Sequence, residues 1–248
     1  MTNVLRYAMA GLFLCTGIFA SQSEATVVVG GTRVVYPAEG KEVTVKLTNQ
    51  GSMPALVQFW LDAGDEKSMP DTAKVPFSVS PPIFRMEPGK GQAVRVMYTK
   101  EPLPTDKESL FWVNVLEVPP KSADDGRNLL QFAFRTRIKL FFRPAGLPGE
   151  VNAAPEKLTW TLVNGEGGKG VALHVANPTP YYVNFAHVGL KIGERSVMEK
   201  GGGMVAPGGT TTFPITHLAS RPSGDVKAQF DVITDFGAVN TIVQPLAP

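Results

Sequence analysis

Cysteine is nearly absent: the chain has one in 248 residues, Cys15, inside an N-terminal apolar stretch. Arg6 gives that stretch a basic start, the apolar run extends from Ala8 to Ala20, and Ser23-Glu24-Ala25 supplies small residues three and one positions before Thr26. This pattern predicts a signal peptide over 1–25, cleaved before Thr26, and a chain exported to the periplasm. Leu14 precedes Cys15 where a lipid-anchoring site needs a small residue. The mature chain therefore has no cysteine. Disulfides are excluded, and burial alone has to hold an exported chain together.

Other absences exclude further classes. No later segment approaches the roughly 20 apolar residues of a membrane-spanning helix. Lysine and arginine number 24 against 22 aspartates and glutamates, for a formal net charge of +2. Loss of Arg6 and Glu24 leaves that balance unchanged, which argues against nucleic acid as a partner. His174, His187 and His217 are the only histidines, and their spacing suggests no metal. No serine stands in a nucleophile-elbow context. Gly165-Glu166-Gly167-Gly168-Lys169-Gly170 matches a dinucleotide-binding pattern in form. Such a site needs a helix start after it, whereas Val171, Leu173 and Val175 continue a strand. It is read as a hairpin turn, and neither nucleotide, cofactor nor enzymatic activity is expected.

Helical periodicity is missing too; what is present is a period of two. Val43, Val45 and Leu47 alternate with Thr44, Lys46 and Thr48, and Ala55, Val57, Phe59 and Leu61 follow, then Val94, Val96 and Tyr98. Phe111, Val113 and Val115 alternate with Leu110, Trp112, Asn114 and Leu116, so both faces of that strand should be covered. Asn49-Gln50-Gly51, Glu87-Pro88-Gly89-Lys90 and Asp124-Asp125-Gly126 supply turn chemistry between the runs. Pro144, Gly146, Pro148, Gly149 and Pro155 mark a boundary. Beyond it the rhythm resumes at 158–162, 171–175, 182–190, 210–215, 226–233 and 239–243, with Gly201-Gly202-Gly203 read as a flexible loop. The pattern predicts an all-β chain of two β-sandwiches in tandem, over 26–146 and 147–248.

The segment Leu129 to Arg143 is unusually long for a strand. Leu130, Phe132, Phe134, Thr136, Ile138, Leu140 and Phe142 alternate with Gln131, Ala133, Arg135, Arg137, Lys139, Phe141 and Arg143. At roughly 3.3 Å per residue it would reach about 45 Å, against five or six residues in an ordinary strand. Two readings stand: a long last strand with one face in its own core, or an edge strand kept open for a partner.

The block from Leu103 to Pro120, Leu-Pro-Thr-Asp-Lys-Glu-Ser-Leu-Phe-Trp-Val-Asn-Val-Leu-Glu-Val-Pro-Pro, resembles the signature of PapD-like periplasmic pilus chaperones. Ile138-Lys139-Leu140-Phe141-Phe142-Arg143-Pro144 resembles that family's donor-strand end, and Ser80-Pro81-Pro82 with Arg85, Pro88 and Gly89 also fits. Asn177-Pro178-Thr179-Pro180-Tyr181-Tyr182 matches in the second half. The resemblance covers essentially the whole mature chain. The short Val118 to Leu129 segment and the missing domain-two disulfide resemble the short-loop branch.

The resemblance implies two immunoglobulin-like domains that bind, fold and cap pilus subunits by donor-strand complementation and deliver them to an outer-membrane usher. It implies that Leu130, Phe132 and Phe134 enter the subunit's open core, that Arg33 and Lys139 hold the subunit's C-terminal carboxylate, and that Glu108, Arg143 and Asp235 join the two domains. Strict alternation sets Lys139 on the face opposite Leu130, Phe132 and Phe134. Either a bulge near Thr136 shifts the register, or the two sets address different parts of the client. Self-association of the free chain stays open. The reading from another class is an exported two-domain immunoglobulin-like adhesin or carbohydrate-binding module that uses its loops.

Overall fold

The structure, a computed structural model, describes residues 26–121, 131–168 and 170–248. The expected signal segment 1–25, the turn Asp124-Asp125-Gly126, Leu130 and Lys169 lie outside these residues. The first sandwich holds β1 (Val27–Val29), β2 (Arg33–Pro37), β3 (Val43–Asn49), β4 (Ala55–Asp62), β5 (Phe77–Ser80), β6 (Ile83–Met86), β7 (Gly91–Tyr98), β8 (Ser109–Val118) and β9 (Phe134–Arg143). The second holds β10 (Thr159–Asn164), β11 (Val171–Ala176), β12 (Val183–Ile192), β13 (Arg195–Met198), β14 (Gly203–Val205), β15 (Thr210–Ile215), β16 (Val226–Ile233) and β17 (Val239–Pro245).

In the first domain a sheet in the order β1-β3-β7-β5 faces one in the order β2-β9-β8-β4-β6. The alternation puts Val45, Leu47, Val57, Phe59, Val94, Val96, Val113 and Val115 into the space between them, all buried. Tyr36, Phe77, Tyr98, Phe111 and Phe142 close one end as an aromatic cluster, with Tyr98 and Phe142 at a centroid distance of 4.6 Å and Phe77 and Phe111 edge to face at 4.9 Å. The turn between β6 and β7 is built as its composition requires. The Lys90 N–H donates to the Glu87 carbonyl at 3.1 Å, and Gly89 follows Pro88 with a φ of +68°, which a side chain would disfavour.

The N-terminal segment changes sheets. β1 pairs antiparallel with β3 in one sheet, and after Gly30-Gly31-Thr32 the chain rejoins the other sheet as β2, parallel to β9. Through this crossing the second half of β9 gains a neighbour on each side, and among the described residues its first half does not.

In the second domain the sheet β10-β11-β15 packs on the sheet β13-β12-β16-β17, with β14 also against β12. Trp160, Phe185 and Phe230 form its centre, Trp160 and Phe230 at 4.7 Å between centroids. Gly165 to Gly170 is the hairpin between β10 and β11, closed by the Gly165 N–H on the Gly170 carbonyl at 3.1 Å. Of the expected loop at Gly201 to Gly203, Gly201 and Gly202 lie outside any strand, but Gly203 begins β14, and a Cβ on Gly202 would come within 1.8 Å of the Phe185 carbonyl oxygen. Glycine there permits close backbone approach rather than freedom.

Candidate functional site

β9 is shorter than the alternating run suggested. It starts at Phe134, so residues 131–133 are not part of the strand. The reason lies in its neighbour: β8 ends at Val118 and Pro119-Pro120 follow, and two prolines have no N–H to extend the ladder. From Phe134 to Phe142 the pairing with Glu117 to Ser109 runs in unbroken register. A bulge near Thr136 is therefore absent, and the apolar row and Lys139 do face opposite sides of one ribbon.

On its other edge β9 is half covered. β2 pairs with Lys139 to Arg143 only, which leaves the edge from Phe134 to Ile138 without a strand beside it among the described residues. On the inward face Phe142 and Leu140 are buried in the domain core and Ile138 packs partly against it. Thr136 and Phe134 are half-buried, and Phe132, ahead of the strand, is 56% exposed. Beside Ile138 and the sheet-crossing residues Val29 to Arg33 lies an open groove of about 410 Å³. An apolar row thus emerges from the core as its covering ends.

The outward face of β9 carries cations. Arg135 donates to Asn114 Oδ1 at 2.7 Å and stacks 4.8 Å above the Trp60 ring. Arg137 grips Asp62 with both ends of its fork, at 2.6 Å and 3.2 Å, and lies 4.1 Å over Trp112. Asp62 is buried, and burial alone would raise its pKa. Hydrogen bonds from Arg137, Asn114 and the Gly64 N–H, with the Arg137 charge, outweigh that and lower it. Sequence reasoning missed Asp62, Asn114, Arg135 and Arg137 as a set. Only the alternation of basic residues in β9 was visible in the sequence; their acceptors lie on β4 and β8.

Further along the same face the cations lose their carboxylates. Lys139 donates to Asn184 Oδ1 across the domain boundary at 2.6 Å. Arg33, its register partner in β2, donates from Nη1 to the Ile233 carbonyl at 3.1 Å, and its buried Nε has no partner. Burial and then the Arg33 charge lower the Lys139 ammonium to about 8. Burial also lowers Arg33, partly opposed by Asp235. Among the described residues neither forms an ion pair. Two adjacent, partly desolvated cations held in no ion pair among the described residues are chemically suited to receive an anion.

The structure also brings Glu108, Arg143 and Asp235 together. Arg143 Nε donates to Glu108 Oε1 at 2.6 Å, and its other nitrogens reach Asp235 Oδ2 and Oδ1 at 2.8 Å and 3.2 Å. Glu108 belongs to a second set of bonds: its Oε2 accepts the Tyr182 N–H at 2.7 Å, and its own N–H donates to the Pro180 carbonyl at 2.9 Å. Burial raises the Glu108 pKa, opposed by the Arg143 charge and these donors. Phe141 completes the boundary against Tyr182, 5.5 Å between centroids.

Residues 26–148 match the family model for the PapD N-terminal domain of pili and flagellar-assembly chaperones, and residues 153–244 match that for the C-terminal domain of the pili assembly chaperone PapD. The chain belongs to the PapD-like family of pilus assembly chaperones. The probable fimbrial chaperone YadV of Escherichia coli K12 is 42% identical to this chaperone, over 94% of each chain. The chaperone protein FimB/FhaD of Bordetella pertussis is 41% identical, over 89% of this chain and 88% of its own. Among solved structures, the CupB2 chaperone of Pseudomonas aeruginosa superposes with a TM-score of 0.74 at 41% identity, covering 89% of this chaperone and all of that chain. The Salmonella enterica SafA pilin in complex with the SafB chaperone also matches, with a TM-score of 0.74 at 31% identity and coverage of 91% and 99%. These relatives do not favour an adhesin or a carbohydrate-binding module.

Proposed function

We propose that this chaperone is exported to the periplasm and binds each pilus subunit by lending it the open edge of β9. The subunit lacks a closing strand, and the edge from Phe134 to Ile138 offers unpaired backbone groups to fill that place. Phe134, Phe132 and Leu130, the last outside the described residues, insert into the subunit's core. Burial of three such side chains contributes roughly 1.5–3 kcal/mol each before entropy costs. Arg33 and Lys139 take the subunit's C-terminal carboxylate in the cleft, which fixes the register of strand pairing. The Glu108–Arg143–Asp235 group holds the two domains at the angle that keeps this cleft open. The loaded complex passes to an outer-membrane usher, without nucleotide or cofactor.

The observation that carries this reading is the coincidence of an uncovered edge on β9 with two cations outside any ion pair where β2 begins to cover that strand, Lys139 on β9 and Arg33 beside it on β2. Phe132→Glu tests it. Co-expressed with a pilus subunit, the variant should bring none into solution while its Tm stays within about 2 °C of the parent, since Phe132 is exposed. Normal recovery of the subunit would count against donation by this strand.

A further inference from the structure

Glu117 is a buried carboxylate on β8, in register with Phe134 of β9 and Val57 of β4. Among the described residues no lysine, arginine or histidine pairs with it. Its oxygens are taken by the start of the mature chain instead. The Thr26 N–H donates to Oε2 at 2.8 Å, the Val27 N–H donates to the same oxygen at 2.9 Å, and the Thr26 hydroxyl bonds Oε1. A buried carboxylate served only by neutral donors is expensive, because hydrogen bonds replace only part of its lost hydration.

Thr26 is held in this place from its other side. The Gln50 N–H donates to its carbonyl at 2.8 Å, and Gly51 lies so close that a Cβ there would come within 2.7 Å of the Thr26 Cβ. The nitrogen aimed at Glu117 is also the one that follows Ser23-Glu24-Ala25. We infer that cleavage of the Ala25–Thr26 bond creates the counter-ion of Glu117, the α-ammonium of Thr26. A peptidase adds water across the amide: the hydroxyl goes to the Ala25 acyl carbon and a hydrogen to the Thr26 nitrogen. That amine, with an ordinary pKa of about 7.7–8.0, takes a further proton at neutral pH. Before cleavage the same atom is an uncharged amide, and Glu24 adds a second carboxylate two residues away in sequence.

The ion pair ties β1, in one sheet, to β8, in the other, at the end of the sandwich where β9 begins. Removal of the leader thus both frees the chain and closes the domain beneath the strand that is to be donated. This rests on the export reading above, and two measurements separate the two ideas. N-terminal sequencing of the periplasmic protein should begin at Thr26; a different start would overturn the processing site. Insertion of Gly-Ser between Ala25 and Thr26 then moves the ammonium two residues away while every side chain is kept. The inserted protein should melt about 4–8 °C lower than the parent. In a Glu117→Gln background the insertion should cost nothing further. A parent and an inserted chain of equal Tm would overturn the ion pair even if sequencing finds Thr26.

Discussion

Arg33 and Lys139 stand opposite each other across the parallel β2–β9 pairing, side by side without a carboxylate between them among the described residues. Every other cation on that face of β9 has an acidic partner: Arg135 and Arg137 share Asp62, and Arg143 holds Glu108 and Asp235. Under the proposed function, the charge left unspent receives the subunit's C-terminal carboxylate.

Affinity at this position should follow the protonation of Lys139. Its ammonium lies at about 8, and a carboxylate binds the protonated form. Calorimetry with a peptide bearing the subunit's free C-terminus should show constant affinity up to pH 8, then a fall of about tenfold per unit. Lys139→Met should abolish that dependence along with most of the binding. The free chaperone should behave in the opposite sense. The unfolded lysine keeps its ordinary value near 10.4, so the unfolded state holds more protons between about 8 and 10, and stability rises through that window.

Hydrogen exchange should divide β9 in two. Lys139 to Arg143 have strands on both sides and should be protected in the free chaperone. Alternate amides from Phe134 to Ile138 point to the open edge and should exchange quickly, then slow by at least a hundredfold when a pilus subunit is added. Full protection of this edge in the free monomer would mean that it is not available for pairing.

Arg143→Ala should loosen the two domains. It leaves Glu108, 3% exposed, without its cation, and removal of one partner from a buried pair costs about 3 kcal/mol or more. Tm should fall, and small-angle scattering should show a wider spread of interdomain distances. Asp235→Asn should do less, since Asp235 is partly solvated. Unchanged scattering from Arg143→Ala would argue against a role in domain orientation.

Asp62 should contribute stability that is sensitive to acid. Its pKa is lowered in the fold, so the stabilisation is complete above the unfolded value near 3.9 and is lost as pH falls through the folded one. Asp62→Asn should cost roughly 2–4 kcal/mol at pH 7 by leaving Arg137 with only the exposed Glu66, 3.6 Å away, as a carboxylate partner. Denaturant melts should show that gap constant from pH 5 to 8 and closing below pH 4.

Much of the molecule was legible in the sequence because its signals are local. Val43 to Leu47 and Val94 to Val96 alternate because each strand has one dry face, and Pro88-Gly89 marks its turn by its own backbone preferences. Gly202 and Gly203 misled because a glycine that admits a nearby carbonyl and one that serves a loop look alike. The length of β9 was overestimated for a related reason. Apolar alternation records which residues can face a core, not where the neighbouring strand stops.

By itself, then, the amino-acid order determined an all-β chain with two sandwiches, and the identity of the cations and apolar side chains on its long strand. The tertiary structure alone decided which of those cations are neutralised and which stretch of edge stays open. Asp62 reaches Arg137 from 75 residues away, and Arg33 meets Lys139 only because the first strand crosses between sheets. Pairings of that range depend on how separate strands come to lie together, and no local periodicity encodes them.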